Sequence, residues 1–218
     1  FETTSKYDFK ANQTMKKSDL FNFDTPVERR GTASMKWEKY KGQDIIPMWV
    51  ADMDFASPPC VLRALRERVE HGVFGYAVAT DEVNRAVVAW LDNHYGWQID
   101  ADWIVWLPGL VPGIDVACMA CATAAEEVIT FVPVYPPFLS APSATGRKVK
   151  TVPLRQENGR WTVDIDQFRK AITSRSRLLL LCHPHNPVGR AFPRHELAAI
   201  AEICNHNDLL VCSDEIHC

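Results

Sequence analysis

Four consecutive leucines, Leu178 to Leu181, stand inside the segment Arg177 to Cys182. A strand with one wet face alternates apolar and polar residues, so a strand apolar at every position must be covered on both faces. Arg177 to Cys182 therefore reads as a fully buried strand, the kind that belongs to a parallel sheet with helices on each side. Ile104 to Leu107, Glu127 to Val132, Lys148 to Pro153 and Leu209 to Ser213 read as further strands. Helical segments fall between them: Leu110 to about Ala125, Phe138 to Thr145, Ile165 to Ser174 and Arg194 to about His206. Upstream, Ser57-Pro58-Pro59 opens a helix with Ser57 as N-cap and Gly72 as its stop, and Asp81 to Tyr95 forms the next, ended by Gly96. Helices alternating with buried strands imply an α/β domain with a largely parallel sheet. Residues 1–14 read as a tag or extension ahead of Met15, residues 15–57 as an arm, and residues 58–218 as part of the α/β domain.

The charge balance narrows the partners. Lys plus Arg is 24 and Asp plus Glu is 27 in 218 residues, a net charge of −3, which argues against nucleic acid or an anionic membrane surface. The most apolar stretch, Ile104 to Ala125, is interrupted by Pro108, Pro112 and Asp115. Asp115 alone would cost roughly 2.5–3.5 kcal/mol at a bilayer centre, so no membrane span is expected. Phe1 to Thr14 lacks the apolar stretch of a signal peptide. Seven cysteines in a chain of this size read as reduced thiols and a cytoplasmic setting.

Ligands of such sheets bind beyond the carboxyl ends of the strands. Four features stand at the expected strand ends: Gly109-Leu110-Val111, Tyr135, Asn186 and Asp214. Each has an ordinary reading taken alone, as a turn, a packing aromatic, a turn residue or a helix cap. Cys118-x-x-Cys121 falls within a helix among alanines and reads as core packing, because structural zinc needs four ligands and there is no second such pair. No Gly-x-Gly-x-x-Gly or Walker pattern is present to support a nucleotide site.

Taken together, His185-Asn186-Pro187-Val188-Gly189 and Ser213-Asp214-Glu215-Ile216-His217 resemble the fold-type I pyridoxal-phosphate enzymes, the aspartate aminotransferase superfamily. Within it, Ala51-Asp52-Met53-Asp54-Phe55 and His71-Gly72-Val73-Phe74-Gly75-Tyr76 resemble the MalY/PatB group of cystathionine β-lyases. The resemblance implies a fold-type I large domain preceded by an arm, and pyridoxal 5'-phosphate as cofactor. It implies that Asp214 pairs with the pyridine nitrogen, Asn186 with the phenolic oxygen, and that Tyr135 stacks on the ring. The backbone amides of Gly109, Leu110 and Val111 would hold the phosphate, and His217 would lie near the phenolic oxygen. Tyr76 would reach the site of a neighbouring subunit, which makes a homodimer the expected assembly.

The lysine that carries the cofactor in such enzymes lies well past the Asp214 motif, whereas every lysine here, from Lys6 to Lys170, precedes it. The expectation is therefore a partial chain, lacking that lysine and the C-terminal small domain, and inactive alone. For the full-length protein the expected activity is carbon–sulfur β-elimination from cystathionine or a related cysteine S-conjugate. An aminotransferase is the first alternative, and a non-enzymatic regulator binding a transcription factor the second. Trp49, just ahead of the Asp52 to Phe55 stretch, is a further candidate for the substrate pocket.

Overall fold

The computed structural model describes residues 22–218, so the expected extension at 1–14 and the first part of the arm lie outside the described residues. The chain divides after Val78 into two compact units. From residue 22 to residue 58 the first is irregular apart from α1 (Met35–Glu38), and it continues into α2 (Pro59–His71). Charge orders this irregular stretch. The Arg29 guanidinium donates to Asp52 at 2.7 Å and to Asp54 at 2.9 Å, and the buried Lys36 ammonium donates to Asp54 at 2.7 Å. The Trp37 indole adds a third donor to Asp54 at 2.8 Å. Hydrogen bonding from Arg29 lowers the Asp52 carboxyl, and bonding from Lys36 and then Trp37 lowers that of Asp54. The Asp-x-Asp stretch is thus the acceptor half of an ion-pair lock.

At α2 the N-cap is Pro58 rather than the expected Ser57, and no side chain caps the helix. Pro59 occupies the first helical position, where its missing N–H would have had no partner anyway. Gly72 closes the helix at φ 75°, its N–H donating to the Val69 carbonyl at 3.0 Å.

The second unit opens with α3 (Asp81–Tyr95), capped by the Thr80 hydroxyl and ended by Gly96 as the spacing predicts. A 3-10 turn, Ala101–Trp103, leads to α4 (Leu110–Cys121). Then follow β1 (Glu127–Val132), α5 (Pro137–Ala144), β2 (Lys148–Glu157), β3 (Arg160–Val163), α6 (Ile165–Ala171), β4 (Ser176–Cys182), α7 (Arg194–His206) and β5 (Leu210–Asp214). The strands form one sheet in the order β3-β2-β1-β4-β5, parallel throughout except for β3.

The leucine run behaves as its composition demands. Leu179 and Leu181 face a core with Ile129, Phe131, Phe168 of α6, and Ile200 and Ile203 of α7. Leu178, Leu180 and Cys182 face the opposite core with Val128, Ile114 and Cys118 of α4, and Phe138 and Ala141 of α5. This is a three-layer α/β arrangement, and each fully covered leucine contributes about 1.5–3 kcal/mol relative to exposure.

Three further expectations are corrected. Ile104 to Leu107 is not a strand: it is unpaired, with Val105 and Trp106 exposed. A β-rich run becomes a strand only where a neighbour supplies the ladder, and among the described residues none does. The helix expected to reach Ala125 stops at Cys121, where the Arg147 guanidinium donates to the Ala122 carbonyl at 2.7 and 2.9 Å and to Met119 at 3.3 Å. A cation placed there satisfies terminal carbonyls and complements the helix dipole. Finally, β2 runs past Pro153 to Glu157 and turns back as β3, which the sequence reading missed. Asn158 and Gly159, at φ 49° and 76°, supply the paired positive φ values of a tight hairpin turn.

Candidate functional site

β1, β4 and β5 are parallel neighbours, so their carboxyl ends lie along one edge of the sheet. The last pair of the β4–β5 ladder is Cys182 with Asp214, and the His183 N–H extends it by donating to the Asp214 carbonyl at 3.0 Å. The Asp214 side chain is half-buried, and its Oδ1 accepts the Ile216 N–H at 3.1 Å. This short turn fixes the carboxylate while leaving acceptor capacity for a cationic N–H donor.

Asn186 follows β4, and Tyr135 follows β1. Their loops are joined through the main chain, the Tyr135 N–H donating to the Asn186 carbonyl at 3.0 Å. The Asn186 N–H donates to the Cys182 sulfur at 3.4 Å, drawing the loop back over the end of β4. The Tyr135 ring is 40% exposed, so part of it is open to a ligand.

Gly109 opens α4 at φ 147° and ψ 163°, a conformation that side chains rarely tolerate. A helix start leaves its first N–H groups without intrahelical partners and carries the positive end of the dipole, which suits an anion. Here those groups belong to Leu110 and Val111, since Pro112 has no N–H and the Gly113 N–H already donates to the Gly109 carbonyl at 3.1 Å. Ile114 and Cys118 seat this helix on the same sheet face as Cys182.

Hydrogen bonds therefore gather Tyr135, Asn186 and Asp214 at one sheet edge, and the helix that Gly109, Leu110 and Val111 begin packs on that sheet. His217 is exposed in the turn after β5. Tyr76 belongs to the first unit, where its side chain is fully exposed. Trp49, in the same unit, is half-exposed beneath the Lys39 ammonium, 4.2 Å from its ring. The expectation that Gly109 follows a strand fails along with the 104–107 strand; the helix start alone positions it. Cys118 is fully buried, its thiol pushed up to about 11 by desolvation, as befits a packing residue.

Two histidines at this edge make contacts to which the sequence assigned no side-chain role. The His183 Nε2 accepts the Phe192 N–H at 3.1 Å, which places the proton of its neutral ring on Nδ1. His185 is 1% exposed, with Nε2 2.8 Å from the Pro133 carbonyl and Nδ1 3.1 Å from that of Cys182. Desolvation lowers its pKa. The signal for both was present, as histidines just past a run of four buried leucines, where a polar ring must find partners.

Residues 43–218 match the family model described as aminotransferase class I and II. The chain is 37% identical over 201 residues to cystathionine beta-lyase PatB of Bacillus subtilis, covering 90% of this chain and 52% of that protein. The crystal structure of OvoB superposes with a TM-score of 0.85 at 43% identity, covering 91% of this chain and 52% of that one. Cystalysin from Treponema denticola, whose structure contains pyridoxal 5'-phosphate, superposes with a TM-score of 0.84 at 33% identity, covering 90% and 52%. The chain thus spans about half the length of the relatives it matches.

Proposed function

The chain belongs to the aminotransferase class I and II family, and on that premise we propose that the protein is a pyridoxal-phosphate-dependent carbon–sulfur β-lyase. Its substrate would be cystathionine or a related cysteine S-conjugate. The observation that carries this reading is the half-buried Asp214 carboxylate, fixed at the end of β5 along the edge where Tyr135 and Asn186 are bonded together. The similarity to PatB, rather than any feature of the α/β fold, supports elimination over transamination.

The residues present suit the cofactor in charge and shape. Bound there, the cofactor supplies an electron-withdrawing ring that takes up charge released at the substrate Cα. Asp214 holds a proton on the pyridine nitrogen by accepting it in a charge-assisted hydrogen bond. Asn186 donates its side-chain amide to the phenolic oxygen, with His217 in the same neighbourhood. Tyr135 covers a ring face without adding charge. The amides of Gly109, Leu110 and Val111 take the phosphate, and the absence of a Cβ at Gly109 lets the backbone approach it closely.

In this reading the working unit is a homodimer in which Tyr76 reaches the phosphate of the neighbouring subunit. Residues 15–57 serve as an arm, and residues 58–218 supply part of the cofactor-binding domain. All seven cysteines are free, which supports a reducing, cytoplasmic setting. No helix among the described residues is long and apolar enough to cross a membrane.

The test is incubation of purified full-length protein with cystathionine in the absence of any keto acid. Release of pyruvate and homocysteine is expected. Strict dependence on a keto-acid acceptor with no thiol released would overturn the lyase reading in favour of an aminotransferase.

A further inference from the structure

We propose that His185 is a positioning residue that ties the loop after β1 to the loop after β4 and so sets Tyr135 against Asn186. The inference rests on the proposed cofactor site, whose two ring-contacting side chains come from these loops.

The geometry is that of a buried cross-link. His185 is 1% exposed and reaches the Pro133 carbonyl, 52 residues away in sequence, at 2.8 Å through Nε2. Pro133 lies two residues before Tyr135, and His185 immediately precedes Asn186. The His185 main chain is itself held, its N–H donating to the Arg190 carbonyl at 2.7 Å and its carbonyl accepting the Gly189 N–H at 2.9 Å. The Phe192 ring packs edge-on at 5.6 Å and closes one side of the imidazole. Between the two loops the main-chain bond from Tyr135 to Asn186 runs in parallel with this side-chain tie.

Both ring nitrogens face carbonyl oxygens, which only accept. A neutral imidazole carries one N–H and can satisfy one of them. The shorter contact assigns that proton to Nε2, donating to Pro133, while Nδ1 lies against the Cys182 carbonyl at 3.1 Å. The bond that matters is therefore the one between loops, and a side chain without a donor at the Nε2 position removes it.

This chemistry separates two conservative substitutions. In His185→Gln the amide nitrogen falls near the place of Nε2 and can still donate to Pro133. In His185→Asn it falls near Nδ1 and cannot. The full-length protein carrying each change would be compared with wild type for Tyr135 amide hydrogen exchange without cofactor, and for visible circular dichroism and dissociation constant of added pyridoxal 5'-phosphate. In His185→Asn, exchange at Tyr135 should accelerate about tenfold, the loss expected for one interloop hydrogen bond, with weaker binding and diminished dichroism per bound cofactor. His185→Gln should stay near wild type in all three. Equal behaviour of the two variants, or unchanged Tyr135 exchange in His185→Asn, would overturn the tie. Failure of wild type to bind the cofactor would instead overturn the proposed site, and the exchange comparison would still decide the role of His185.

Discussion

Glu127, at the amino end of β1 and opposite the site edge, offers a quantitative test of how the sheet is held. Its side chain is 7% exposed. Its carboxylate accepts hydrogen bonds from the Thr173 hydroxyl at 2.6 Å, the Ser176 hydroxyl at 3.0 Å and the Arg175 guanidinium at 3.2 Å, with the Lys150 ammonium at 3.7 Å. Bonding from Thr173, then from Arg175 and Ser176, outweighs desolvation and takes the carboxyl from 4.5 down to about 2. A folded-state pKa below the unfolded one stabilises the protein above the unfolded value, and that contribution disappears as pH falls through the folded value. A shift of this size corresponds to about 3 kcal/mol at pH 7, falling to about 2 kcal/mol at pH 3.5. Glu127→Gln keeps the shape but loses the charge and turns an amide N–H₂ toward cationic donors. It should cost about 2–3 kcal/mol at pH 7, the range for a hydrogen bond to a charged group. Paired urea titrations of wild type and variant at the two pH values should show the gap narrowing by about 1 kcal/mol at the lower pH. A gap that is the same at both, or below about 0.5 kcal/mol at pH 7 as for an ordinary surface change, would refute the assignment of the lowered pKa to these bonds.

Two further outcomes follow from single positions. Gly109→Ala forces a side chain into φ 147°, a strain of about 1–3 kcal/mol. The pyridoxal-phosphate dissociation constant of the full-length variant, measured by fluorescence titration, should rise about tenfold. Phe168→Ala removes a fully buried ring packed edge-on to Phe131 at 5.2 Å. It should lose about 3–5 kcal/mol in denaturant titration, and a loss under about 1 kcal/mol would show that the core between α6 and β1 relaxes to fill the space.

The parts of the fold that were legible are those in which local pattern and tertiary demand coincide. β4 carries four leucines in a row because both of its faces are covered, and α3 announces its end with Gly96. Ile104 to Leu107 misled because its apolar composition is a local fact, whereas strand pairing depends on a neighbour. β3 escaped notice because Arg160 to Val163 is too short for its alternation to stand out. At the site, the residues at strand ends could be named from sequence because chemistry selects their types. The bond between His185 and Pro133 could not, since it spans 52 positions and depends on how two loops meet.

Pro153 marks where β2 exchanges partners: its register with β1 ends there, at Val132, and the antiparallel register with β3 begins at Leu154. The four-residue β3 thus covers only Leu154 to Glu157 of β2, beyond the stretch that is laddered to β1. At the other margin, among the described residues, β5 has β4 on one side only, and Leu210 and Val211 are exposed. Past β5 the sheet thus keeps an apolar margin on which a further strand could build.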